Sequence, residues 1–270
     1  MKRLLALLSL ALFFASCEEK KENKPAPVVK AETADDLKIE FLPVIQGTWI
    51  ASSYIKSLEE TRSPNNSYDK LKGIASLNIP NTADGDKMEI GINLNNHEAN
   101  VLNVLFKRGQ SKHSLVTDHK DNNDSFEVKY IVTNKDTMLF VDRYSASGEL
   151  LKSRQYSRVK TQSGTTAKAG IDYIVNKKLG IPGIYNMKKG YFDYTVTLGS
   201  DGSVEGLDSL KIYTVGTDYA VNNPAELPGE DYIYFKRNTN DSIVVSYSFK
   251  SKKDTLLLQR GKEKLRLIKQ

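Results

Sequence analysis

The sequence predicts an all-β protein built from two successive antiparallel barrels. Three observations carry that expectation. Most segments after residue 39 alternate apolar and polar residues, the period of a strand with one buried face. Turn-forming residues separate these segments at short intervals. The pattern then restarts in the second half, beyond a stretch at 161–169 that lacks large apolar side chains.

The chain opens with Lys2 and Arg3, an 11-residue apolar run from Leu4 to Phe14, the small residues Ala15 and Ser16, and then Cys17, the one cysteine in 270 residues. A membrane-spanning helix needs roughly 20 apolar residues, so the run is too short for a permanent span. The arrangement resembles a bacterial lipoprotein signal peptide. The tetrad Phe14-Ala15-Ser16-Cys17 has Phe where Leu is usual. The resemblance implies cleavage between Ser16 and Cys17. It also implies a diacylglyceryl group on Cys17, with acyl chains such as palmitate. Such an anchor holds alone, whereas a single acyl chain binds only marginally.

Glu18-Glu19-Lys20-Lys21-Glu22 follows at once. It is similar to the acidic export signal that takes Bacteroidota lipoproteins to the outer face of the outer membrane, though lysines interrupt the acids. The implied address is the outer membrane, with the cell surface favoured over the periplasmic face. A solvated linker is the plainer meaning of such a charge run.

Loss of residues 1–16 leaves 37 basic and 33 acidic side chains, a mild excess of +4 spread along the chain. No basic stripe or aromatic-basic interleaving appears, so nucleic acid is not an expected partner. With Cys17 taken by lipid, no disulfide is available and the cores must hold the fold. Residues 17–38, with Pro25 and Pro27 and few bulky apolar side chains, are expected to be a disordered tether. The expected organisation is therefore signal peptide 1–16, tether 17–38, β domain 39–160, linker 161–169 and β domain 170–270.

In the first β domain, strands are expected at 75–79, 88–94, 101–106, 126–132, 137–141 and 150–159. Asn95-Asn96, Arg108-Gly109 and Asp121 to Asp124 mark turns between them. One segment departs from the pattern. Ser52 to Arg62 places Tyr54, Ile55 and Leu58 at helical spacing, and Ser63-Pro64 stops it. Just before it lies Gly47-Thr48-Trp49, with the chain's one tryptophan.

A Gly-x-Trp at the first strand followed by a run of antiparallel strands resembles a lipocalin-type (calycin) barrel. The resemblance covers about residues 45–160 and rests on that short motif and the strand count. It implies that Trp49 closes one end of the barrel under the core. A helix between the first two strands is similar to the lid of fatty-acid-binding proteins. The family also packs a later arginine on the tryptophan; Arg143, Arg154 and Arg158 all lie near the right end of the domain.

The second β domain repeats this plan. Ile181-Pro-Gly-Ile-Tyr185 stands where Gly47-Thr48-Trp49 stood, with Tyr185 in place of Trp49. Strands are expected at 194–198, 203–207, 211–215, 232–235, 243–249, 256–259 and 265–268, with a hairpin at Gly199-Ser-Asp-Gly202. The endings of the halves match as well, Thr133 to Phe140 against Ser251 to Leu258. So many strands in so short a stretch imply a small barrel filled by its own side chains. One larger sandwich spanning both halves is the rival arrangement.

No catalytic residue, metal ligand or cofactor is assigned. Gly-x-Ser-x-Gly, a phosphate-binding glycine loop and His-Glu-x-x-His are all absent, and the chain reads as a non-enzyme. Glu59 and Glu60 are helix neighbours that do not converge as a dyad must. His113 and His119 are six apart, a spacing that puts both on one face if one strand runs through them, but turn-flanking histidines are commoner than metal ligands. Asp84-Gly-Asp86 and Asp121 to Asp124 lack the distal Glu of a calcium loop. Thr137, Ser209, Ser242 and Thr255 each follow Asp and precede an aliphatic residue or Met. That matches the acceptor of Bacteroidota O-glycosylation, and equally the way a turn feeds a strand.

Three functions are expected. The first is a lipid-anchored binding or accessory module holding an apolar or amphipathic small molecule in the first barrel, under the 52–62 helix. The second is a structural or protein-interaction lipoprotein with both barrels filled. The third is a surface carbohydrate binder, to which the 14 tyrosines would lend stacking faces.

Overall fold

A computed structural model describes residues 32–134, 136–160, 170–189, 191–219 and 229–270. The signal peptide, Cys17, residues 17–31 of the expected tether and the 161–169 linker lie outside these residues.

The folded unit begins earlier than expected. Helix α1 (Ala34–Ile45) overlaps the stretch read as tether to residue 38. Its start is fixed by a capping box: Thr33 Oγ1 accepts from the Asp36 N–H at 3.2 Å, and the Asp36 carboxylate accepts from the Thr33 N–H at 3.0 Å. Leu37, Phe41 and Ile45, spaced four apart, bury one face against the barrel that follows. Glu40 bolts this helix down. Its carboxylate accepts two bonds from Arg108, at 3.1 and 2.8 Å, and one from Tyr130 Oη at 3.2 Å. His113 Nδ1 stands 3.3 Å away.

The first barrel comprises β1 (Gly47–Ala51), β2 (Ile74–Ile79), β3 (Lys87–Leu94), β4 (Glu98–Arg108), β5 (Ser114–Asp121), β6 (Asp124–Val132), β7 (Thr137–Tyr144) and β8 (Leu150–Arg158). Each strand pairs antiparallel with the next, and β8 returns to β1, so no edge remains. Between β1 and β2 the chain forms α2 (Ser52–Thr61), α3 (Pro64–Ser67) and a 3₁₀ turn (Tyr68–Leu71). Asn95, Asn96, Asn122 and Asn123 take positive φ, between 50° and 74°, at the β3–β4 and β5–β6 turns.

The second barrel repeats the plan. Helix α4 (Ile171–Leu179) precedes β9 (Gly183–Lys189), β10 (Phe192–Leu198), β11 (Val204–Glu205), β12 (Ile212–Val215), β13 (Asp231–Lys236), β14 (Val245–Lys252), β15 (Thr255–Arg260) and β16 (Glu263–Lys269). β16 pairs with β9, and β11 and β12 end the ladder. Those ends meet at a bridge between Ser203 and Ile212, where Val204 N donates to Lys211 O at 2.8 Å. The chain is thus a tandem of lipocalin-like antiparallel barrels. β11 is shorter than the strand expected at 203–207. Gly206 turns the chain out of the ladder with φ of 78°, and a Cβ there would stand 1.9 Å from Thr195 O. β14 starts at Val245 and not Ile243, because the Asp241 carboxylate accepts from the Ile243 N–H at 2.9 Å and holds a turn.

The two closed ends are built alike. Trp49 is fully buried, and its Nε1–H donates to Ile45 O, four residues back at the end of α1, at 2.7 Å. Arg158, paired with Trp49 across β1 and β8, lies with its guanidinium 4.5 Å from the ring centre and donates to Val44 O. Of the three arginines near that end, Arg158 is therefore the one packed on the tryptophan. In the second barrel Tyr185 Oη donates to Ile181 O, again four residues back, at 2.5 Å. Lys269, paired with Tyr185 across β9 and β16, stands 5.9 Å from its ring and donates to Gly180 O at 3.1 Å.

The two barrels pack into one compact unit, Thr33–Gln270. Arg62, at φ of 56°, donates to Lys178 O and to Leu179 O and so caps the C-terminus of α4. The Asp231 carboxylate accepts from Asn65 N at 2.8 Å and Ser63 Oγ at 3.0 Å. Asn96 Nδ2 donates to Thr217 O at 3.1 Å, and Tyr68 meets Tyr219 edge to face.

Two predictions follow from the first barrel's closed end. Bonding from Arg108, its charge, and bonds from His113 and Tyr130 pull the Glu40 carboxyl down from 4.5 to about 2, against the opposing effect of burial. A depressed carboxylate adds stability above its unfolded pKa and loses it as pH falls through the folded value. Glu40→Gln should therefore lower the melting temperature at pH 7, and its gap to the parent should close between pH 4.5 and pH 2. A gap independent of pH over that range would show that Glu40 does not act through its charge. Separately, Trp49→Ala should destabilise the protein by about 3–5 kcal/mol in urea unfolding, as expected for a buried aromatic with its hydrogen bond.

Candidate functional site

The first barrel is solid at its base and hollow at its mouth. Toward the base, Leu77, Met88, Ile90, Val104, Leu115 and Leu139 are at most 1 % exposed and fill the interior. At the other end, where β3 meets β4 and β7 meets β8, a cavity of about 290 Å³ opens. Its wall is apolar: Ile74, Ile92, Leu102, Phe126, Val141 and Tyr156. The longer strands make this space. β4 has 11 residues and β6 and β8 have 9 each, so they run past the packed layers.

The rim is basic. His119, Arg143, Lys152 and Arg154 line it, and among the described residues no Asp or Glu does. The cations differ in their surroundings. Arg143 is neutralised, with Nε 2.6 Å from Asp124 and Nη2 3.1 Å from Asp121. Arg154 is held without an acid. It donates to Lys70 O at 2.5 Å and to Lys72 O, and its guanidinium stands 5.7 Å from the Tyr156 ring centre. Gly73 lets it lie close, since a Cβ there would stand 3.2 Å from its Nη1. Among the described residues, neither Arg154 nor Lys152 has a carboxylate within ion-pair distance. Tyr156 is fully buried and donates to Ile74 O at 3.0 Å; burial pushes its phenol well up, so it stays neutral.

The helix at 52–62 is present as α2, but it is not the roof of the cavity. None of the lining residues belongs to it. Its buried residues Tyr54 and Leu58 join the shared core, and the helix packs against α4 and β8.

Among its described residues, the second barrel is packed. Tyr213, Phe235, Tyr247, Phe249, Leu256 and Leu267 fill it, and a cavity of about 40 Å³ remains beside Leu207 and Leu265. Trp49 and Tyr185 stand at the closed ends, away from the mouth. Ser209 and Ser242 are exposed, whereas Thr137 and Thr255 are half-buried at strand starts. Ser16 and Cys17 lie outside the described residues.

The histidines separate. His113 faces α1 through Glu40, while His119 packs on Phe126 at the mouth, ring centres 4.9 Å apart. Six residues of strand span about 20 Å, so a shared face does not bring them together. Asp121 and Asp124 engage Arg143. Among the described residues no group of three His, Cys, Asp or Glu side chains is placed to hold a metal.

One acidic pair escaped the sequence reading: Glu127 and Asp142, cross-strand partners, are 3 % and 0 % exposed. Glu127 accepts from Gln110 N at 2.9 Å, and Asp142 accepts from Ser153 Oγ at 2.5 Å and from Lys129. Both carboxylates are taken up by structural bonds in the outer wall. The basic rim was also missed as a site. Its signal was the spacing of Lys152, Arg154 and Tyr156, which put two cations on the face that elsewhere points inward.

No protein-family model, curated protein or solved structure matches this chain. The site is therefore read from its own geometry.

Proposed function

We propose that the protein is a lipid-anchored lipoprotein of the bacterial cell envelope, of the Bacteroidota type, whose first barrel binds a small amphipathic molecule at its mouth. The cavity carries this reading. An apolar hollow of about 290 Å³ in one barrel, beside a packed twin, sits near the lower edge of ligand pockets at roughly 300 Å³. A barrel kept only for stability would be better filled, because each void forfeits contact energy.

The anchoring half of the proposal rests on Cys17 and its flanks. Lipid on Cys17 would hold the body at the outer membrane, with the cell surface as the favoured face. The role is that of a binding or accessory module and not of an enzyme. A second reading, an interaction lipoprotein, draws on the second barrel. Tyr191, Phe192 and Tyr194 stand exposed where β9 turns into β10, and such aromatic surface suits a protein or glycan partner.

Cys17→Ala should move the protein from the membrane fraction to the soluble fraction; continued sedimentation with membranes would end the lipoprotein proposal. For the cavity, Leu102→Trp should fill the hollow and abolish saturable binding of medium-chain amphiphiles, with circular dichroism unchanged. A parent protein that binds no such molecule, and carries none in native mass spectrometry, would remove the binding reading.

A further inference from the structure

We infer that the mouth of the first barrel selects an anionic head group, a carboxylate, phosphate or sulfate, and that Arg154 and Lys152 hold it. This rests on the binding reading above and names the ligand class of the same site.

Charge at the rim is unbalanced. Of the cations lining the cavity, Arg143 is outweighed by its two aspartates, a net of −1, and Arg154 and Lys152 return the rim to a net of +1. Arg154 and Lys152 have none within ion-pair distance among the described residues, and no acid lines the cavity. A neutral or cationic head would leave that charge uncompensated in a partly desolvated site.

Arg154 is also preorganised. Two carbonyls and the Tyr156 ring fix its plane. A guanidinium has five N–H donors, so the two bonds to carbonyls leave donors for an oxyanion. Lys152 stands exposed at the rim, where a flexible ammonium can close on the same head. The tail would lie on Ile92, Leu102 and Val141. About 290 Å³ above a solid base admits one short chain and excludes a whole two-chain lipid. A free medium-chain acid and the head of a single-chain lipid share this chemistry.

The test uses the full chain carrying Cys17→Ala, titrated calorimetrically with decanoate, decyl phosphate, decanol and decyltrimethylammonium. The two anions should bind at least about tenfold more tightly than decanol, and the cation more weakly than decanol. Raising the salt should shrink the anion advantage. Lys152→Gln and Arg154→Gln should each lower the ratio of decanoate to decanol affinity by up to about tenfold, the ratio being measured within each variant. Arg154→Lys should restore part of it. Arg154 also supports the turn before β2, so a melting curve accompanies its variants. Exposed Lys152 carries the test if Arg154→Gln fails to fold. Equal affinity for decanol and decanoate would overturn the anion inference and leave the binding reading standing. An anion preference that survives both glutamine variants would overturn the assignment to these residues. No binding by any of the four probes would overturn the binding reading itself.

Discussion

Each barrel depends on one contact at its closed end. A helix runs into the first strand, and the aromatic residue that opens the strand bonds back to the helix's last turn or the bend just after it. Trp49 does so to Ile45 O and Tyr185 to Ile181 O. The last strand then lays a cation on the ring, Arg158 or Lys269, and that cation bonds to a carbonyl at the same corner. Three elements far apart in sequence are thereby held at one point. The contact satisfies helix-end carbonyls that would otherwise be buried without donors. It also fixes the register of first strand against last, which sets where every inward side chain points.

From the same starting contact the two barrels diverge by strand length. In the second, no strand exceeds 8 residues, and β11 and β12 have 2 and 4. In the first, β4, β6 and β8 continue past the packed layers and their upper ends enclose a hollow. The junction between the barrels draws on the first unit's β1–β2 connection, through Arg62 on α4 and through Ser63 and Asn65 on Asp231. Burial pushes the Asp231 carboxyl up, while its bonds from Asn65, Ser63 and Tyr219 pull the other way. The segment that could have roofed the mouth is thus held by the second unit.

Strand period and turn chemistry made most of the barrels legible, and α2 was legible from Tyr54, Ile55 and Leu58. The helices at the closed ends were not. α1 shows its spacing in Leu37, Phe41 and Ile45, but Pro43 stands in its last turn and Lys and Glu surround its start, so composition pointed to a tether. The partner of Trp49 was narrowed to three arginines, and register alone separates Arg158 from the other two. The mouth was illegible for a related reason. Arg154 reads as an ordinary strand cation until the barrel closes and turns its face inward. Glu127 and Asp142 show the reverse case, with charge on an outward face that is covered in the fold, Glu127 by the chain at Gln110 and Asp142 by Lys129 and Ser153.

On the proposed reading, the placement of Arg154 is what would separate a binding mouth from a merely unfilled one. A barrel loses contact energy at any void, yet an apolar void needs no charge beside it. A cation without an acid is a further cost, since partial desolvation weakens its hydration and two carbonyls return only part of it. Arg143, facing the same opening, shows how the fold neutralises a cation when no other role is required of it. Arg154 has instead a fixed plane, a glycine cleared to admit it and a ring beneath it. These features hold a charge still without cancelling it. On the proposed reading, such a fixed charge would gain affinity when an opposite charge arrives, because the cost of ordering it is already met in the empty state.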